Sequence, residues 1–234
     1  MSASGLLYGV GVGPGDPQLL TLKACEVIRS VDVLAYPMNV SGTSVARSIA
    51  ADFIPEDAAE LAIHVPMKVE RGQAQDAYDS AARLISDHLN AGRDVAYLCV
   101  GDPLFYGSFM YLAARLAETQ KIEIVPGITS LTACAARTLT PLGGRNDILS
   151  VVPATLDEAA LKSAIAGADT AVIIKVGRHF GKVRDALHAD GLLSRAVILE
   201  SATGEDERVT PLADVKQEEA PYFSTILVRR GDLS

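Results

Sequence analysis

Tryptophan is absent from this chain of 234 residues, and aromatic residues make up only 5% of it. Stacking nucleic-acid bases needs exposed rings, so a single-strand binding platform is not expected. Basic residues are outnumbered, 21 Lys and Arg against 29 Asp and Glu, for a formal net charge of −8. That balance argues against general nucleic-acid binding, but it leaves room for an anionic small molecule held by a local basic cluster. Cysteine is scarce: Cys25, Cys99 and Cys134 are an odd count with no CxxC spacing, each in an apolar stretch. Free, buried thiols in a reducing compartment are expected. The four histidines (His64, His88, His179, His188) lack metal-ligand spacing, so no metal site is expected. No apolar run approaches the ~18 residues of a membrane span. The opening MSASGLLYGVGVGPGD lacks a basic start and a long apolar stretch, so it is not expected to be a signal peptide. Neither GxxxxGK[ST] nor GxSxG occurs, which removes the P-loop and the hydrolase elbow.

What is present is a core-forming composition, 49% hydrophobic and 21% charged. Apolar, strand-length runs at 6–12, 31–36, 60–65, 94–100 and 122–125 alternate with helical patterns at 16–28, 43–51, 72–90, 105–117 and 129–137. Asp16 and Pro17 read as the cap and first residue of the first helix, and Pro37 as the stop of the second strand. This alternation predicts βαβ units and a mostly parallel five-stranded sheet. Residues 139–146 change character and read as a linker. Beyond them come strands at 148–152, 171–176 and 196–199, with helices at 156–165 and 180–189. Strand-like runs at 207–211 and 223–229 have no clear helix between them, predicting an antiparallel pair in a mixed sheet. The expected fold is therefore α/β with two α/β/α domains, 1–138 and 147–234, and a ligand cleft between them.

Three segments could carry chemistry. The first, Gly9 to Gly15 (GVGVGPG), has the look of a dinucleotide-binding turn, but the register fails. GxGxxG started at Gly9 ends on Pro14, and started at Gly11 it ends on Asp16, an acidic cap that would repel a pyrophosphate. A nicotinamide dehydrogenase is therefore the weakest reading. The turn is either a tight strand-to-helix link or one that also faces a ligand. The second segment runs through Gly101, Asp102 and Pro103; Asp102 could bond ribose-type hydroxyls or cap the following helix. The third runs through Pro126 and Gly127 to Thr129 and Ser130, hydroxyls that could cap a helix or meet a ligand. All three sit at strand carboxyl ends, where open α/β sheets bind ligands.

Together these segments resemble the tetrapyrrole methyltransferases, the class III S-adenosylmethionine-dependent methyltransferases. GVGPGDPQLLTLKA over 11–24, GDPLFYG over 101–107 and PGITS over 126–130 carry the resemblance, which runs from Leu6 to Arg229. Within the family, GDPLFYGSFMYL and PYFSTILV are most similar to the subgroup that methylates carbon 20 of precorrin-2 to give precorrin-3A in cobalamin (corrin) synthesis. The resemblance implies that S-adenosylmethionine, leaving as S-adenosylhomocysteine, meets Pro14, Val100, Gly101, Asp102, Phe105, Thr129, Ser130, Val176, Ala202 and Thr225. It also implies a cytoplasmic homodimer with no nucleic-acid or membrane partner. Relatives acting on uroporphyrinogen carry an aspartate base after the second strand, where this chain has Pro37. No catalytic base is assigned.

The implied chemistry agrees with the missing triads, because a sulfonium is already electrophilic and alignment alone can contribute roughly 7–11 kcal/mol. The carboxylates of a tetrapyrrole need cationic partners. Lys68, Arg71, Arg145 and Arg178, with His179 and Lys182 beside the last, are the candidates, each otherwise a solvated charge. Other readings are the cobalt-containing substrate of the anaerobic route, a non-catalytic adenosyl-ligand or tetrapyrrole-binding module, and a protein-modifying relative such as diphthine synthase.

Overall fold

A computed structural model describes residues 4–39, 41–64 and 71–231, the side chains of 71–74 excepted. The chain divides into two compact units, 1–129 and 130–234. The first holds five parallel strands in the order β3-β2-β4-β1-β5: β1 (Leu6–Gly11), β2 (Val33–Met38), β3 (Ala59–His64), β4 (Val95–Cys99) and β5 (Lys121–Val125). Its apolar runs are continuous because both sheet faces are covered. On one face Val10, Leu34, Ala96 and Leu98 pack with Ala24, Val27 and Ile28 of α1 (Leu22–Ser30) and with Ala46 and Ile49 of α2 (Val45–Ile49). The alternate residues Leu7, Val33, Ala35, Val95 and Tyr97 meet α3 (Arg71–Asn90) and α4 (Phe109–Leu116) on the other. Phe109 is fully buried there, with its ring where a Gly9 side chain would stand: a Cβ on Gly9 would lie 2.5 Å from it.

Several local expectations change. Asp16 caps only a 3₁₀ turn, Pro17–Leu19, and Thr21 caps α1 by accepting from the Ala24 amide. The second strand runs through Pro37 rather than stopping there. Beyond Ala35, β2 pairs with β3 alone, so a residue lacking N–H is tolerated on its open side. The helix read from 105 starts only at Phe109, because Asp102 holds residues 103–105 in a turn.

The second unit opens with α5 (Ser130–Thr138), which the sequence reading assigned to the N-terminal domain; α5 packs against β10. Its sheet has the order β6-β7-β10-β8-β9, from β6 (Leu149–Pro153), β7 (Thr170–Ile174), β8 (Ala196–Glu200), β9 (Arg208–Pro211) and β10 (Ser224–Arg229). β6 and β7 are parallel and the other pairings antiparallel, as a mixed sheet requires. The two last strands do not pair with each other. Each pairs with β8, which lies between them. The core forms against α6 (Glu158–Ala166) and α7 (Phe180–Ala189), with Phe180, Val183, Leu161 and Ile198 buried. Residues 139–148 form neither helix nor strand. Arg229 anchors this stretch, donating to Asp147 at 2.6 Å and to Thr170 at 2.9 Å.

All three cysteines are buried and unpaired. Burial holds the Cys99 thiol well above its usual range and pushes Cys134 up to about 12, so both are neutral at ordinary pH. Truncating Phe109 would leave a ring-sized void over Gly9. Phe109→Ala should cost about 3–5 kcal/mol in urea unfolding, and a loss under about 1 kcal/mol would contradict the wedge.

Candidate functional site

In the first unit the helix after β1 lies on one sheet face and the helix after β4 on the other. Neighbouring strands whose connections diverge in this way leave a crevice at their carboxyl ends. Three loops fill its floor. Gly101 donates to the Gly13 carbonyl at 2.8 Å, and Gly13 to the Gly101 carbonyl at 3.4 Å. The loop after β5 presses in from the other side: a Cβ on Gly127 would lie 2.1 Å from the Gly101 oxygen and 2.8 Å from the Gly11 Cα. A Cβ on Gly11 would meet Gly101 and Gly127 at 2.6 Å. The three backbones thus touch, with no room for a side chain at Gly11 or Gly127. Gly13 and Gly101 also have φ of 79° and 72°, the left-handed region that favours glycine.

Asp102 stitches the same loops. One carboxylate oxygen accepts from the Leu104 amide at 2.9 Å and the Phe105 amide at 3.1 Å. The other accepts from the Gly127 amide at 3.0 Å. The capping alternative is therefore realised, extended by a bond to the neighbouring loop that spacing did not suggest. The following Tyr106 takes a left-handed φ of 55°, and its ring meets Phe105 edge-on at 5.2 Å. Above the glycine lock there is space, since a Cβ on Gly101 would meet nothing nearer than 3.9 Å.

Pro14, Val100, Gly101, Asp102, Phe105 and Thr129 therefore gather at the ends of the adjacent strands β1, β4 and β5. Ser130 opens α5 in the second unit. In that unit Val176 follows β7, Ala202 follows β8, and Thr225 lies at the start of antiparallel β10, so all three stand at the same end of the three central strands and are buried. The backbone there is strained: Lys175, Ser201 and Thr203 have φ of 56°, 48° and 61°. Non-glycine residues hold such values only where their surroundings over-determine them, and they cluster at ligand sites. Glu207 supplies part of the constraint, accepting from the Thr203 amide at 2.6 Å while paired with Arg137 at 2.6 Å. No residue-type motif marks these positions, and the sequence reading missed them.

The basic candidates are less gathered. Lys68 lies outside the described residues, and Arg71 is described only as the first backbone position of α3. Arg145 and Arg178 are exposed in the second unit. His179, next to Arg178, is held below the usual histidine range by desolvation and by the Lys182 and Arg178 charges, so it is neutral at ordinary pH and the positive charge beside it is that of Arg178 and Lys182. Among the described residues no group of His, Cys, Asp or Glu could hold a metal ion, and no helix is long and apolar enough to cross a membrane.

The sequence profile of the Tetrapyrrole (Corrin/Porphyrin) Methylases matches residues 6–216. The chain belongs to the tetrapyrrole methylase family. A precorrin-2 C(20)-methyltransferase from a Sinorhizobium species is 42% identical over 232 residues, covering 96% of this chain and 95% of that protein. The cobalamin biosynthesis protein CobIJ of Mycobacterium tuberculosis is 44% identical over 239 residues. That match covers 99% of this chain but 47% of CobIJ, so the chain spans about half of that relative. A solved uroporphyrin-III C-methyl transferase from Thermus thermophilus, complexed with S-adenyl homocysteine, superimposes with a TM-score of 0.69 at 26% identity, covering 96% of this chain and 97% of that one. The two α/β units of this methylase-family chain thus match a protein whose ligand is an adenosyl sulfur compound.

The glycine lock makes a direct prediction. Gly127→Ala must push apart the loops after β4 and β5, and should lower unfolding stability by about 1–3 kcal/mol. Unchanged urea and thermal midpoints would show that the loops do not touch in solution.

Proposed function

We propose that this tetrapyrrole methylase transfers a methyl group from S-adenosylmethionine to carbon 20 of precorrin-2, giving precorrin-3A, S-adenosylhomocysteine and a proton. The observation that carries the proposal is the 42% identity, over nearly the whole of both chains, to the Sinorhizobium precorrin-2 C(20)-methyltransferase. The strand ends of the first unit fit the cofactor in three respects. The glycine lock brings backbone without side chains to the strand ends, in a sequence that lacks the anion-binding glycine register. The Asp102 charge is taken up by three backbone amides. Partly exposed Leu104, Phe105 and Tyr106 supply apolar surface beside it.

When bound, S-adenosylmethionine supplies an electrophilic methyl on a positively charged sulfur. Pro14, Val100, Gly101, Phe105 and Thr129 would then hold the donor in one orientation from the first unit. The reading also assigns Ser130, Val176, Ala202 and Thr225 to the cofactor, with Arg145, Arg178, Lys68 and Arg71 bonding substrate carboxylates. Positive charge disperses as the methyl moves, so apolar side chains beside the sulfur favour the transition state over the ground state. Alignment and desolvation are the chain's contribution, and no side-chain nucleophile is required. The same reading makes the protein a cytoplasmic homodimer.

Incubation with methyl-labelled S-adenosylmethionine and precorrin-2 generated in situ, with and without cobalt, tests the proposal. Label at carbon 20 of the metal-free ring is expected. Label only with cobalt would move the chain to the cobalt-dependent route. Absence of label on both, with tight binding of S-adenosylhomocysteine, would leave an adenosyl-binding module and overturn the proposed activity.

A further inference from the structure

We infer that Asp102 is a positioning residue for the adenosyl ligand, acting through the loop after β5 instead of by touching the ligand. The inference rests on the proposed binding of that ligand at the strand ends of the first unit. Its ground is the distribution of the Asp102 carboxylate. Had Asp102 only a capping role, one oxygen would suffice, and one does suffice for the Leu104 and Phe105 amides. The second oxygen crosses to another strand's loop and takes the Gly127 amide. Gly127 is the residue whose Cα and N lie against Gly11 and whose missing side chain admits the Gly101 oxygen. A single side chain therefore sets the separation of the loops after β4 and β5, and through their contact with Gly11 the entry to the loop after β1. Thr129, two residues beyond Gly127, and Phe105, itself a donor to Asp102, are both candidate ligand contacts, so the bond fixes the span between them.

Chemistry separates the cap from the tie. A carboxamide in place of the carboxylate keeps one oxygen for the Leu104 and Phe105 amides but turns an N–H₂ toward the Gly127 N–H, donor against donor. Asp102→Asn therefore preserves the turn and removes the tie. A serine hydroxyl can also serve the turn but is too short to reach Gly127. Both variants should lose affinity for S-adenosylhomocysteine by about ten- to hundredfold, the range for a hydrogen bond to a charged group.

Titration calorimetry with S-adenosylhomocysteine and with its 2′,3′-dideoxy analogue, on the wild-type chain and on both variants, decides the matter. If Asp102 works through the loop, the fold-loss on Asp102→Asn is the same for both ligands, because no ribose hydroxyl is involved. In methyl-transfer assays the loss should appear in KM for the donor, with kcat at saturation kept within about threefold. A fold-loss that vanishes with the dideoxy analogue would make Asp102 a direct ribose contact and overturn the inference. Unchanged affinity in both variants would overturn it too, as would unfolding of both, which would assign Asp102 to global stability. A wild-type chain that binds neither ligand would instead refute the proposed function on which the inference stands.

Discussion

Three backbones in contact at Gly11, Gly101 and Gly127 are the constraint on which the first unit depends. A Cβ on Gly11 or Gly127 would lie 2.1–2.9 Å from its neighbours, and Gly101 holds a left-handed φ of 72°. β4 and β5 each flank β1, so the loops that follow them can meet over Gly11, and the Asp102 carboxylate ties one to the other. The two hydrogen bonds between Gly13 and Gly101 and the Asp102 bonds then fix the loops' heights relative to the sheet. A rigid floor of this kind is what a positioning enzyme requires. When catalysis comes from alignment rather than from a reactive side chain, an error of an ångström is costly.

The second unit reaches a comparable end by other means. Its strand ends hold non-glycine residues in left-handed conformations, maintained by buried neighbours and by Glu207. The buried Glu200 at the end of β8 is satisfied within the chain, accepting from Gln217 at 3.0 Å. The first unit thus uses glycine to relieve crowding, with Tyr106 its one left-handed ordinary residue among those described, while the second places three such residues at its strand ends. At both sets of strand ends the carboxylates of Asp102, Glu200 and Glu207 are taken up by hydrogen bonds within the chain.

Legibility in the sequence followed how local each cause was. The parallel strands were readable because burial on both faces makes continuous apolar runs such as DVAYLCV. The mixed sheet was readable as a class from the missing last helix, but its pairing was not. Inserting β8 between β9 and β10 is decided by non-local contacts that leave no periodicity behind. Pro37 looked like a stop because propensity ignores which side of a strand is paired. Asp102 and its turn were visible as a cap, since both partners lie within three residues. Its bond to Gly127 spans 25 positions and no spacing rule reports it. The strained Lys175, Ser201 and Thr203 carry no composition signal, because a left-handed non-glycine residue is imposed by its surroundings.

Amide hydrogen exchange, resolved by residue on the ligand-free chain, tests the central claim most directly. The Gly101 and Gly127 amides sit in loops, where exchange is ordinarily fast. If the three backbones lock as described, both should exchange in the slow class of the β1 and β4 core amides, opening only with global unfolding of the unit. Exchange at loop rates for either glycine would contradict the lock and leave the strand ends without a preformed floor.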